Sequence, residues 1–457
     1  MSKKIISLFL LIFVAVVSVY FVFVNEFSER EEIPEQRPGK VDRLAKTDRE
    51  GVEENINGFG LEDDLQITQE LEQEEEYGEL AVSPREVQRI VEGIGSKSDN
   101  TVLEQYNSVL PGNIYEALQY FHYNISYDYF LITAENGVEI RETPDPAENI
   151  MGYLENLDKV SLLQRVEGKE IAGSNIWYRI AAEKNNQTVE GYVHSTTGIP
   201  RTFRFEEMKS AVDELRRELQ QGELHFISNY KNENGTPPQE GPEAVDEYGY
   251  RVYHSAPAYD WADTEANYRY VPDGMLVRIL QEEGDFYQVN IPQFNGNFYV
   301  PKQFIDIENS LDWLNHVVVV DREQQNQAAF ELAGENLNLV SYTLATTGFS
   351  GEYSFETSPG LYKVLGKRER FEYLEKGSQE IAGYAPHAIR FSGGAYIHGV
   401  PVPYDQQNGQ KIDPGFREYI QTIGTFPRSS MCVRNYTSHA EFLFNWMDTR
   451  HGAVIVI

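Results

Sequence analysis

The chain of 457 residues holds one cysteine, Cys432 in the stretch PRSSMCVRN, and His398 precedes it in AYIHG. A thiol of ordinary pKa near 8.5 is only about 3% thiolate at neutral pH, so a cysteine that does chemistry needs an activating neighbour. An imidazole can take that proton and stabilise the resulting thiolate. Gly399 is small enough for its backbone to come close to the ring. Its carbonyl can hold the second imidazole nitrogen and so set the tautomer. The oxyanion that develops on a carbonyl oxygen as the sulfur attacks needs donors, for which the backbone N–H groups of Cys432 and Met431 are the candidates. Arg434 lies two residues beyond the cysteine, on the same side if the segment is extended. It can hold a substrate carboxylate there or form an ion pair within its own domain.

The start of the chain bears on where this thiol works. Residues 5–24, after Lys3 and Lys4, form a run of about twenty uncharged residues, long enough to span a bilayer as a helix. No small-residue cleavage pattern follows, which favours a retained anchor over a cleaved signal. The lysines keep the short end in the cytoplasm, so the expectation is a single-pass protein of the cell membrane with the rest extracytoplasmic. Structural cysteines outside the membrane come in pairs, and a lone one reads as a reactive thiol or an intermolecular link. The formal net charge of −33 excludes nucleic acid as a partner, since no basic stripe exists to neutralise phosphates. Much of the acid lies in residues 26–80, expected to be a disordered acidic linker.

Beyond the linker, Ser83-Pro84-Arg85-Glu86 has the form of a capping box and opens a short helical segment over 83–127, with a second helix from Ile114 to Phe121. Residues 128–200 alternate apolar and polar positions between Gly, Asn and Pro turns, as in a small barrel. Residues 202–222 carry helical spacing at Met208, Ala211, Val212, Leu215 and Leu219. The strand pattern then repeats, more divergently, over 249–307. From 314 to the end the strands lengthen, with a helix starting at Ser438. The chain is therefore expected to be mostly β.

Residues 128–200 resemble a bacterial SH3-like domain through VEIRETP at Val138–Pro144, IWYRI at Ile176–Ile180 and Gly191-Tyr192-Val193. The repeat at 249–307 implies a second, divergent SH3-like β-barrel, either binding cell-wall polymer or serving as a spacer. The final domain resembles the L,D-transpeptidase (YkuD-type) family. Its signposts run in order: Thr346-Thr347-Gly348, Thr357-Ser358-Pro359-Gly360, Ile397-His398-Gly399 and Ser429 to Arg434. That resemblance implies a β-sandwich-like catalytic domain over 314–457. It also implies an acyltransferase whose Cys432 attacks a peptidoglycan stem peptide, releases D-alanine and passes the acyl group to an amine. Cys432, His398 and Gly399 are then the catalytic set. Met431, Ser430, Ser429, Arg434 and Tyr396 line the oxyanion or substrate site. The alternatives are a hydrolase using the same thioester, or a non-catalytic, membrane-tethered peptidoglycan-binding protein.

Two features depart from the family pattern. Its S-H-G-C has His and Gly where this chain has Ser430 and Met431, and a Met before the cysteine implies ordinary backbone angles in that turn. Thirty-three residues separate His398 from Cys432, about twice the family's spacing, which suggests a flap over the cleft. His439 and His451 make no metal-ligand spacing, and neither a metal nor another cofactor is expected.

Overall fold

The computed structural model describes residues 80–457 except 95–99, 185–186, 240–243, 352–353, 376–377, 379 and 408. The expected membrane anchor at 5–24 and nearly all of the expected linker at 26–80 lie outside the described residues. Among the described residues no helix is long and apolar enough to cross a membrane.

His316–Asp321 is the centre of the C-terminal architecture. Its run HVVVVD has no polar alternation because the six-stranded sheet it belongs to is covered on both faces. The order in that sheet is Ile114–Glu116, Asn336–Leu344, Asn326–Ala333, His316–Asp321, Gly452–Val456, Gly360–Lys363. Val317 and Val319 face the helix Phe205–Gln220, which buries Phe205, Met208, Val212 and Leu215. Burying four such side chains contributes about 1.5–3 kcal/mol each before entropy is counted. Val318 and Val320 face the other way, in a core shared with Ile389, Ile397 and Val433 of a second sheet. That sheet runs Gly366–Leu374, Ile381–Ser392, Ala395–His398, Val433–Arg434. The two sheets thus enclose one apolar layer.

Among the described residues of 83–127 the helix covers Pro84–Ile94, where Ser83 Oγ accepts from the Glu86 N–H. The expected second helix is instead strand Ile114–Glu116, paired in parallel with Asn336–Leu344. Ile114, Ala117 and Leu118 do have helical spacing, but an open sheet edge offers backbone partners that an isolated helix lacks. The helix expected to start at Ser438 takes a side-chain acceptor for its first turn from Glu418, twenty residues upstream. The helix begins at Thr437, and Glu418 accepts from the Ser438 N–H and hydroxyl.

Two seven-stranded paths precede the C-terminal sheets. The first is ordered Ile150–Leu154, Val138–Arg141, Gln187–His194, Ser174–Lys184, Lys159–Ile171, Asp128–Ile132, Gly198–Thr202. The second is ordered Tyr268–Pro272, Ser255–Tyr259, Gly296–Pro301, Phe286–Ile291, Leu276–Glu283, Leu224–Ile227, Ile305–Leu311. Numbered within each unit, the two orders are the same, so the repeat seen in the sequence reappears as shared topology. The second unit opens at Leu224, ahead of the expected 249. Its first two strands are joined by residues 228–254, where the first unit uses only 133–137.

Candidate active site

Ala395–His398 and Val433–Arg434 lie side by side in parallel, with Ile397 opposite Val433 and His398 opposite Arg434. Side chains alternate across a strand, so Ile397 and Val433 enter the apolar layer while Tyr396, His398 and Arg434 share the other face. Cys432 joins that second face. It clusters with Tyr396, Tyr373 and Ala388, one step back along the register from Val433. His398 and Cys432 are therefore diagonal neighbours on one face, about 8 Å apart between Cα atoms from strand spacing and rise. An imidazole spans much of such a gap.

The His398 Nδ1 donates to the Gly399 carbonyl at 2.6 Å. The ring is fully buried, and its Nε2 has no hydrogen-bond partner among the described residues. That arrangement leaves Nε2 as a bare base. Gly399 must be glycine: a Cβ there would lie 2.9 Å from both Pro386 Cγ and Thr437 Oγ1. Asn435 fixes the same strand end, its N–H donating to the His398 carbonyl at 2.8 Å.

The turn into Cys432 is held by the two upstream motifs. Arg434 and Thr346 exchange backbone hydrogen bonds at 2.9 and 3.0 Å, and the Ser429 N–H donates to the Thr347 carbonyl. Thr357 Oγ1 accepts from the Gly348 N–H and donates to the Met431 carbonyl. A Cβ on Gly348 would stand 2.5 Å from Met431 N. Ser429 Oγ donates to the Cys432 carbonyl, and Ser430 Oγ receives only a long bond from the Phe355 N–H. Thr-Thr-Gly and Thr-Ser-Pro-Gly thus work as clamps on the cysteine turn.

Three expectations for this turn need correction. Met431 has φ +64°, the left-handed conformation assumed closed to it, at a cost of about 1–2 kcal/mol. The clamps over-determine the turn and impose that angle whatever the residue. The Met431 N–H donates to the Phe355 carbonyl at 2.7 Å, so it is not an oxyanion donor. The thiol, expected to be stabilised as a thiolate by the imidazole, is pushed up to about 11 by burial; the Tyr396 N–H and the Arg434 charge oppose this only in part. Burial also drives the His398 imidazole down to about 3, despite the Gly399 carbonyl. The pair at rest is therefore neutral thiol and neutral imidazole. The S–H donates to the Gly394 carbonyl at 3.7 Å.

Tyr396 is buried and stacks on Phe371 with centroids 4.2 Å apart, and Arg434 is 2% exposed. The long His398–Cys432 connection divides in two. Asp405–Gln407 and Gln410–Ile412 form an exposed hairpin. Residues 417–425 are no flap: Ile420 and Ile423 are in the core, and the Gln421 carbonyl receives Lys159.

Sequence reasoning passed over Arg251 and His254. Arg251, in the long connection 228–254, places Nη1 3.1 Å from Met431 Sδ. His254 packs against Gly393, where a Cβ would meet its own Cβ at 2.6 Å. Neither residue sits in a motif, and only the fold brings them to the cysteine turn.

A family model described as the L,D-transpeptidase catalytic domain (YkuD) matches residues 315–457. No curated protein matches the chain. Similar solved structures include a fused Zn-dependent amidase/peptidase/peptidoglycan-binding domain-containing protein from Clostridium acetobutylicum. It is 13% identical, with 31% of this chain and 52% of that one covered and a TM-score of 0.22, so this chain spans about half of its length. An L,D-transpeptidase from Mycobacterium smegmatis is 15% identical, with 40% of this chain and 82% of that one covered and a TM-score of 0.25. L,D-transpeptidase 3 from Mycobacterium tuberculosis is 16% identical, covering 40% and 79%, with a TM-score of 0.24. Residues 315–457 are an L,D-transpeptidase catalytic domain of the YkuD type.

Proposed function

We propose that this domain is a cysteine acyltransferase acting on peptidoglycan stem peptides. The observation that carries the reading is the shared face of His398 and Cys432, with Nδ1 tied to Gly399 and Nε2 left bare. Nε2 takes the thiol proton as the sulfur attacks the carbonyl carbon before the terminal D-alanine. The C–N bond breaks, the proton passes to the departing amine, and a thioester remains on Cys432. An acceptor amine then attacks the thioester, and the sulfur leaves and regains its proton. The Cys432 N–H is the oxyanion donor in this scheme, since the Met431 N–H is committed to Phe355. Burial of the sulfur excludes bulk water and favours transfer over hydrolysis.

The remainder of the reading places this chemistry at the wall. Residues 5–24 anchor the chain in the cytoplasmic membrane, and the acidic linker holds the folded part on the extracytoplasmic side. The two β units at 128–202 and 224–311 act as SH3-like modules beside the catalytic domain. Incubation of purified protein with a tetrapeptide-stem muropeptide and an amine acceptor tests the activity. Cross-linked product that depends on Cys432 supports transfer. Tripeptide alone identifies a hydrolase, and binding without product leaves a wall-binding protein.

A further inference from the structure

Resting on that reading, we propose that Arg251 is the positioning residue for the donor's terminal carboxylate, supplied to the catalytic domain by the preceding β unit. The guanidinium lies against the residue next to the sulfur, with Nη1 3.1 Å from Met431 Sδ and Cζ 4.4 Å from the centre of the Phe355 ring. Phe355 in turn holds Met431 through its carbonyl. Arg251 is 6% exposed, and its Nε and Nη2 have no partner among the described residues. A buried cation without an anion is costly, and proteins ordinarily pair it or solvate it. Burial lowers its affinity for a proton and the nearby Tyr253 opposes this in part; no carboxylate among the described residues is named as acting on it.

The missing anion has a natural source. The carboxylate of the leaving D-alanine lies one residue from the scissile carbonyl, and Arg251 touches the thioether of Met431, the residue before Cys432 in the chain. Two free N–H groups of one guanidinium also match a carboxylate in a planar, bidentate manner. The chain that delivers Arg251 is the connection 228–254, which the first β unit replaces with 133–137. The same connection brings His254 against Gly393, beside the carbonyl that receives the thiol. The second unit is thus built into the site and is not a detached spacer.

The test uses full-length protein with Cys432→Ala, so that a donor stays bound unreacted. Calorimetry compares a tetrapeptide stem bearing a free C-terminal carboxylate with its carboxamide. The carboxylate form should bind at least about tenfold more tightly, and Arg251→Met should reduce that preference to about threefold or less. Arg251→Lys, which keeps the charge without the fork, should fall between and serves if the Met variant does not fold. With Cys432 intact, Arg251→Met should raise KM for the carboxylate donor more than it lowers kcat. An unchanged preference in the Arg251 variants overturns the assignment, even while the donor still acylates Cys432. If neither peptide binds and none acylates Cys432, the acyltransferase reading falls as well.

Discussion

His398 and Arg434 stand directly opposite each other across parallel strands, so an imidazole and a guanidinium share one face with the sulfur. The guanidinium charge lowers the proton affinity of both His398 and Cys432. It therefore favours a bare base and a thiolate together. It opposes the imidazolium that a permanent ion pair would need.

A neutral resting pair predicts an unreactive thiol. With Cys432 pushed up to about 11 by burial, its alkylation by iodoacetamide should rise with pH well beyond 8.5, where the unfolded chain levels off. A rate that levels off below pH 7 would show an ion-paired thiolate instead.

Protonation of buried histidines should govern acid stability. Burial pushes His398 and His439 down to about 3 and, with the charges of Arg251, Arg390 and Lys231, His254 to about 2. The unfolded chain binds these protons near 6.5, so between 6.5 and about 3 it holds more protons than the folded one. Stability is then fully present above 6.5 and falls as pH drops, by about 1.4 kcal/mol per pH unit for each such group. Urea denaturation from pH 7 to 4 should show this slope, and His439→Gln should flatten it. A flat profile in the parent protein would contradict the burial of these rings.

The left-handed angle at Met431 is separable from its side chain. Met431→Ala and Met431→Gly both remove the thioether, but only Gly accepts φ +64° without strain. The Gly variant should be more stable than the Ala variant by about 1 kcal/mol in chemical denaturation. Equal stability, or the reverse order, would mean that the turn relaxes.

Crowding at Gly399 predicts a positional defect. Gly399→Ala forces a methyl group against Pro386 and Thr437, at a cost of about 1–3 kcal/mol in stability. Because the carbonyl of this residue holds Nδ1, acyl transfer should fall further than the stability loss accounts for. Initial rates measured well below the melting temperature separate the two effects.

What the sequence disclosed, and what it withheld, follows from the range of each interaction. Helix Phe205–Gln220 and the strand around Trp177 were legible because periodicity is written in consecutive residues. The four ordered motifs pointed to a cysteine turn, though not to the clamping roles of Thr346 and Thr357. Ile114–Glu116 was misread because its strand character comes from a partner more than two hundred residues away. Leu224–Ile227 was missed as an opening strand because residues 228–254 part it from Ser255–Tyr259, the next strand of its unit. The angle at Met431 and the approach of Arg251 are imposed by tertiary contacts. No local pattern encodes either.

Acyl transfer here turns on a thioester on Cys432 formed with His398 as base. Intact-mass analysis after mixing the protein with a tetrapeptide-stem donor tests it most directly. An adduct of the donor's acyl part should form with stoichiometric release of D-alanine. The adduct should be absent in Cys432→Ala and should form about a hundredfold or more slowly in His398→Gln. Release of D-alanine undiminished by Cys432→Ala, or no adduct on the parent protein, would contradict it.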